Sequence, residues 1–467
     1  MTSRPLVILH GWSDDGASFD RLARHLEEDP GAGAIHRISI GDYLTLSDEL
    51  RFDDLQAALD RAWDERGLAR TPGAVDVVVH STGGLVIRDW LVRHFDPGTV
   101  PVKHLVMLAP ANFGSSLAHV GRSILGRIAK GFIGSRQEGQ GLLETGVGIL
   151  RGLELASPYT WALAEQDRFG PWAEAYGPGG ILCTVLAGNT GYRGIRGVVN
   201  EAGGDGVVRL SCAHLECARM VLDLMPGAAV PGEGTPSIVP RIVEQRVSGG
   251  RTAFCIQDRI DHGSIKLDAP PSRLSRAQRE TLARIRRALT VEDDAFSAFC
   301  DECDRANQAL TRGPDHPRAG PGYQNTVFRV RDDFGVPVTD YLVEFYHPDR
   351  RDGGALAGRI HQQALRDVHC YGADPSHRSL YLDTHRFLSL VQQDGGRLGF
   401  SLTAHPILGS GGAVAGFRTF ADDEIQDLIL KTEPLREWLV PHRTLLMDIR
   451  VHRQQLPSVF RLRGVQE

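Results

Sequence analysis

The sequence predicts an α/β domain, a mainly parallel sheet with helices on both faces, followed by a C-terminal β-sandwich. Three observations carry this. In the first half, short apolar runs alternate with amphipathic stretches of helical period, the pattern of strands joined by crossover helices. The run VVVHSTGGLVIRDWL (residues 77–91) takes an apolar strand through a tight turn straight into a helix. Beyond Tyr323 the helical period gives way to alternation with period two, the signature of short half-buried strands.

The elements follow in order. Pro5 to His10 is an apolar run stopped by Gly11. Phe19, Leu22, Ala23 and Leu26 recur at i, i+3, i+4 and i+7, which marks a helix. Ile35, Ile38 and Ile40 lie in a second strand, and Leu55, Leu59, Ala62 and Trp63 form the next helical stripe. Val75 to Val79 is too apolar for an edge strand. Gly84 to Phe95 is helical, and His104 to Leu108, Ile181 to Ala187 and Ala253 to Ile256 continue the strand series.

Between residues 119 and 179 the alternation breaks. Ile124, Leu125, Ile128 and Phe132 form one helical stripe, and Val147, Leu150, Leu153 and Tyr159 another. The stretch is too long for a simple loop, so it is an insertion with helices of its own. It reads either as an extra structural layer or as a helical lid over a site. Ser275 to Leu289 is a basic amphipathic helix with Leu282, Ile285 and Leu289 on one face. Its polar side reads as a solvated face, with a membrane-surface role as the alternative. The expected boundaries are therefore 1–290 for the α/β domain, 291–322 for a helical linker ending in the Pro/Gly-rich RGPDHPRAGPG, and 323–467 for the sandwich. The segment VRDDFGVPV (residues 330–338) resembles the strand–turn–strand opening of immunoglobulin-like and transthyretin-like sandwiches.

Composition narrows the function. At about 150 residues per domain, 467 residues allow two or three domains. With 42% hydrophobic and 24% charged residues, wholesale disorder is excluded. The 52 Lys and Arg against 58 Asp and Glu leave a formal charge of −6, so no nucleic-acid partner is expected. No apolar run approaches the roughly 18 residues that a membrane span needs. The seven cysteines are odd in number and scattered, which fits a reducing compartment better than a disulfide framework. The N-terminus MTSRPLVILHG shows no signal-peptide pattern. The expectation is a cytoplasmic protein, with signal-independent export left open.

The chemistry centres on Ser81. A strand that runs directly into a sharp turn and a helix strains the serine backbone and exposes its Oγ at the carboxyl end of the sheet. Gly83 fills the second glycine position of a G-x-S-x-G pattern, while Val79 replaces the first. The helix beyond Ser81 offers free N–H groups and its positive dipole end, so the Thr82 N–H is the first oxyanion donor. The second comes from the loop after the first strand, where the Trp12 N–H is the candidate. Removing one such donor typically costs about 2.7–4 kcal/mol of transition-state stabilisation.

A serine needs a base, and in α/β-hydrolases, whose serine turn this one resembles, the chain order is Ser, then Asp or Glu, then His. The acid belongs in GNTGYRGIRGVVNEAGGDGVVRLS (residues 188–211), where Asp205 sits between glycines and Glu201 is the runner-up. The base follows the last strand, in QDRIDHGSI (residues 257–265), which offers His262. Asp258 and Asp261 read as supporting partners or solvated loop charges. His80 reads as packing against the sheet, and His10 as structural beside the oxyanion loop. Cys300 and Cys303 form a lone C-x-x-C without a second ligand pair nearby, and GSGGAVAG (residues 409–416) reads as a loop, so neither metal nor cofactor is expected.

With these residues in place the chain resembles the α/β-hydrolase superfamily. Within it the chain is similar to bacterial lipases and to the lipase-like group that includes glycosylphosphatidylinositol inositol-deacylases and lecithin–cholesterol acyltransferases. Five blocks carry the resemblance: VILHGW, VVVHSTGGLVIRDW, MLAPANFGSSLA (residues 107–118), GGDGVVRLS and DHGSI. They span about residues 1–290. The resemblance implies an α/β-hydrolase fold with a helical lid insertion and a serine carboxylic ester hydrolase working through a Ser81–His262–Asp205 triad and an acyl-enzyme. Its substrate would be a lipid or another ester, with peripheral membrane contact. An apolar insertion favours long acyl chains, since burying each CH₂ contributes about 0.8 kcal/mol. The same triad would serve acyl transfer to an alcohol. A third reading is a membrane-targeting effector whose sandwich binds a partner. Oligomeric state is not legible.

Overall fold

Every strand of the first sheet comes from one of the apolar runs singled out above. The structure, a computed structural model, describes residues 4–9, 19–28, 33–40, 50–118, 147–192, 202–224, 241–312, 322–348, 354–404, 416–417 and 430–454. The chain divides into two compact units. The first holds Met1–Cys217, Val247–Tyr323 and His442–Thr444.

In the first unit β1 (Leu6–Leu9), β2 (Ile35–Ile38), β3 (Val75–His80), β4 (Val102–Leu108), β5 (Leu182–Gly188) and β8 (Ala253–Gln257) form a sheet ordered β2-β1-β3-β4-β5-β8. All its pairings are parallel. β1, β3, β5 and β8 are buried along their whole length, as strands covered on both faces must be. The covering helices α1 (Asp20–Glu27), α2 (Phe52–Glu65) and α3 (Gly83–His94) follow the expected stripes.

The described part of the expected lid or extra layer packs against the helices that cover the sheet. Its helices α4 (Val147–Leu153) and α5 (Pro158–Asp167) form a layer packed on α2 and α3. A Cβ at Gly152 would lie 2.5 Å from the Phe52 ring, and Phe52 stacks on Tyr159 at 4.2 Å. Arg88 of α3 and Asp167 at the end of α5 form a bidentate pair, 2.7 and 2.9 Å, with both side chains fully buried. Burial opposes the charge on Arg88, yet the Asp167 carboxylate holds its pKa above the ordinary value. Leaving either partner alone in that interior typically costs about 3–5 kcal/mol, so the pair pins this layer in place. The first stripe of the insertion lies outside the described residues.

The expected linker is also a core element over most of its length. After a short helix α6 (Leu210–Ala213) and the amphipathic α7 (Arg276–Thr290), capped by Ser275, comes α8 (Asp293–Arg312). Phe296, Phe299, Cys300 and Cys303 of α8 are all buried in the core shared with β8 and α7. Asn307 accepts from Ile256 N and donates to Phe254 O, each at 2.8 Å, which satisfies the free edge of β8.

The second unit comprises Ala218–Arg246, Gln324–Pro441 and Leu445–Glu467. The boundary thus differs from the expected 1–290. β6 (Cys217–Leu224) and β7 (Arg241–Val247), drawn from the middle of the α/β sequence, join β9 (Tyr323–Asp332), β11 (Leu365–Cys370), β12 (His377–Asp383) and β16 (Thr444–Val451). The six-stranded order is β11-β12-β9-β16-β6-β7. A smaller sheet of β10 (Tyr341–Tyr346), β13 (Arg397–Ala404) and β15 (Leu430–Lys431) shares its core, with Phe328 of β9 and Phe400 of β13 stacked at 6.4 Å. Two sheets facing across a common core fit the expected sandwich. Three helices were not expected in it: α9 (Ala355–Gln363), α10 (Thr384–Gln393) and α11 (Thr432–Trp438) put Leu356, Ile360, Phe387, Leu390 and Leu435 into the same core.

Candidate active site

Ser81 follows the last residue of β3 and has φ +53°, in the left-handed region where a non-glycine residue costs about 1–3 kcal/mol. Neighbouring backbone holds that strain. Ser81 N–H donates to Leu108 O at 3.0 Å, and Ser81 O accepts from Gly84 N–H at 3.1 Å. The close approach needing glycine is at Gly84, where a Cβ would fall 2.8 Å from Pro110 Cβ. Val79, in place of the usual first glycine, is buried within β3. The turn is therefore that of a nucleophile elbow, despite the departure in motif.

The acid loop is organised by glycines flanking Asp205. Gly203 and Gly206 have φ +79° and +93°, and a Cβ at Gly204 would meet Val208 O at 2.6 Å. This loop turns the Asp205 carboxylate inward, where the residue is 1% exposed. Oδ1 accepts from Val207 N–H at 3.0 Å and Val208 N–H at 2.7 Å. Oδ2 accepts from His262 Nδ1–H at 2.8 Å. An ionised carboxylate only accepts, so Nδ1 carries the proton and Nε2 presents its lone pair. Nε2 lies 3.1 Å from Ser81 Oγ. The three residues that the sequence singled out, 57 and 181 positions apart from His262, thus meet at the carboxyl ends of β3, β5 and β8.

Main-chain bonds set the His262 loop. His262 N–H donates to Asp205 O at 3.0 Å, and a Cβ at Gly188 would sit 2.2 Å from Ile260 O and 3.2 Å from Asp205 Cβ. Asp261 Oδ1 accepts from Gly263 and Ser264 N–H and shapes the loop from within it, while Asp258 accepts from Asn189 Nδ2 and ties the loop to the segment after β5. Thr82 is the N-cap of α3 and is buried beside Ser81, where a first oxyanion donor is required. Trp12, His10 and Glu201 lie outside the described residues.

Two supports escaped the sequence reading. Ser115 Oγ donates to Val207 O at 2.6 Å, tying the segment after β4 to the acid loop. His80, expected only to pack, reaches the His262 carbonyl with Nε2 at 3.1 Å. Burial pushes the Cys183, Cys217 and Cys300 thiols up to about 12, which keeps these three in the unreactive thiol form. Cys300 and Cys303 of the C-x-x-C both face the core.

A six-stranded parallel sheet covered by helices, with a strained serine after its third strand in sequence and the acid and histidine behind later ones, is the α/β-hydrolase fold. Among solved structures the chain is similar to phospholipase PlaB from Legionella pneumophila, with TM-score 0.74 and 23% identity, over 99% of this chain and 96% of that one. A second structure of that phospholipase, in complex with thio-NAD, gives TM-score 0.75 and 24% identity over 99% and 97%. The likeness extends over both units. No family model matches the chain, and no curated protein matches it in sequence.

Proposed function

We propose that the protein is a serine carboxylic ester hydrolase of the lipase or phospholipase A kind. The observation that carries this is the alignment of Asp205, His262 and Ser81 at 2.8 and 3.1 Å on a strained elbow. Ser81 Oγ attacks the ester carbonyl carbon as its proton passes to His262 Nε2. The Thr82 N–H, and in the expected arrangement the Trp12 N–H, hold the oxyanion. Collapse expels the alcohol, which takes the proton from Nε2, and leaves an acyl group on Ser81. Water then repeats the sequence and releases the acid. Asp205 keeps the imidazole in the required tautomer and stabilises its charged form. These steps call on no cofactor or metal.

A lipid substrate is supported by the likeness, over 99% of this chain, to a protein named a phospholipase, and peripheral contact to a membrane is the part of the reading that the vesicle experiment below tests. Hydrolysis of p-nitrophenyl esters from acetyl to palmitoyl, alongside fatty-acid release from phosphatidylcholine vesicles, tests the reading. Activity should rise with acyl length and extend to the vesicles. A preference for acetyl would make it a small-ester esterase, and no hydrolysis of any ester would overturn the proposal.

A further inference from the structure

We propose that His80 is a positioning residue for the base, holding the His262 main chain so that Nε2 stays aimed at Ser81; this rests on His262 acting as the base. A carbonyl oxygen only accepts, so the 3.1 Å contact between His80 Nε2 and His262 O requires the proton on His80 Nε2. His80 is 4% exposed, and its ring lies between those of Phe19 at 5.6 Å and His262 at 4.8 Å. Packing alone would need only the ring. The directed N–H adds a third anchor to His262, beside N–H to Asp205 O at 3.0 Å and Nδ1–H to Asp205 Oδ2 at 2.8 Å. These anchors fix both peptide groups of His262 and one ring nitrogen, leaving Nε2 alone to reach Ser81.

The placement of His80 explains why this anchor is effective. It is the last residue of β3 and the neighbour of Ser81, so one strand end sets both the nucleophile and the main chain of its base. Without the bond, the peptide joining His262 to Gly263 loses its tie to β3 and keeps only the Gly263 N–H bond to Asp261 within the loop, and a small rotation there swings Nε2 off the serine. Misplacement by about 1 Å at a reacting group can cost about 10²-fold in rate.

The test compares wild type with His80→Phe, which keeps a ring but no donor, and His80→Gln, whose side-chain amide N–H can reach the place of Nε2. On a p-nitrophenyl ester, His80→Phe should lower kcat by about 10²-fold with KM unchanged, the pattern of lost alignment rather than lost binding. His80→Gln should recover most of kcat. Equal kcat in all three proteins, or equal losses in both variants that follow their melting temperatures, would overturn the proposal.

A second readout is independent of turnover. The downfield proton resonance of His262 Nδ1–H, bonded to Asp205, should be sharp in wild type, Ser81→Ala and His80→Gln. It should be broadened or lost in folded His80→Phe. An unchanged resonance in His80→Phe would overturn the positioning role whether or not the protein hydrolyses esters. A protein that keeps ester hydrolysis as Ser81→Ala would instead overturn the triad reading.

Discussion

Ser81→Ala is expected to remove ester hydrolysis, lowering kcat by about 10⁶-fold, the scale seen when a triad serine is lost. Ser81 Oγ is the group 3.1 Å from the lone pair of a histidine whose other nitrogen is tied to a buried carboxylate. No other hydroxyl is bonded to His262 Nε2 among the described residues. Alanine fills the same space, and the elbow is held by main-chain bonds from Ser81 N and O that the substitution leaves intact. The variant should therefore fold and melt like wild type. Steady-state kinetics on a p-nitrophenyl ester, with thermal melts alongside, provides the check. Retained turnover in the variant would mean that another group is the nucleophile.

The second large effect is expected at Asp205→Asn, a loss of about 10⁴-fold in kcat with the fold preserved. Two backbone N–H groups, from Val207 and Val208, point at Oδ1 and demand an acceptor there. An asparagine therefore keeps its oxygen towards them and turns its NH₂ towards His262 Nδ1. That nitrogen must then accept, and the imidazole proton moves to Nε2, facing Ser81. A base in that tautomer cannot take the serine proton. A conventional kcat measurement tests this, and Asp205→Asn with wild-type kcat would remove Asp205 from the mechanism.

The legibility of these residues has physical roots. The elbow was readable because a strand that runs into a helix without a loop leaves a local trace in VVVHSTGGLVIRDW, even with Val79 where glycine is usual. Asp205 was readable because a turn that drives a carboxylate into the interior needs residues with positive φ, and Gly203 and Gly206 supply them. His262 followed from chain order and the end of β8. The bond from His80 to the His262 carbonyl spans 182 positions and leaves no periodic trace.

The second unit shows the same division. Each of β6 and β7 looks like a strand of whatever domain surrounds it in sequence, and the pairing that moves them into the other sheet is long-range. The Pro- and Gly-rich stretch PGAAVPGEGTP (residues 226–236) between them was the available sign of a break. Helix α8 is expected as a helix, and only its place in the core differs, although the signal for it is local. Phe296, Phe299, Cys300 and Cys303 stand at i, i+3, i+4 and i+7, and that stripe marks a helix with a buried face rather than a linker.

Whether Ser81 is an activated nucleophile is decided by an alkyl fluorophosphonate, which reacts with a serine only when a base draws off its proton. The labelled protein would be digested and the adduct located by mass spectrometry, in wild type and in His262→Ala. One stoichiometric adduct on Ser81 is expected in wild type, and its loss in His262→Ala. No adduct on a folded wild-type protein, or an adduct on another residue, would contradict a nucleophilic Ser81.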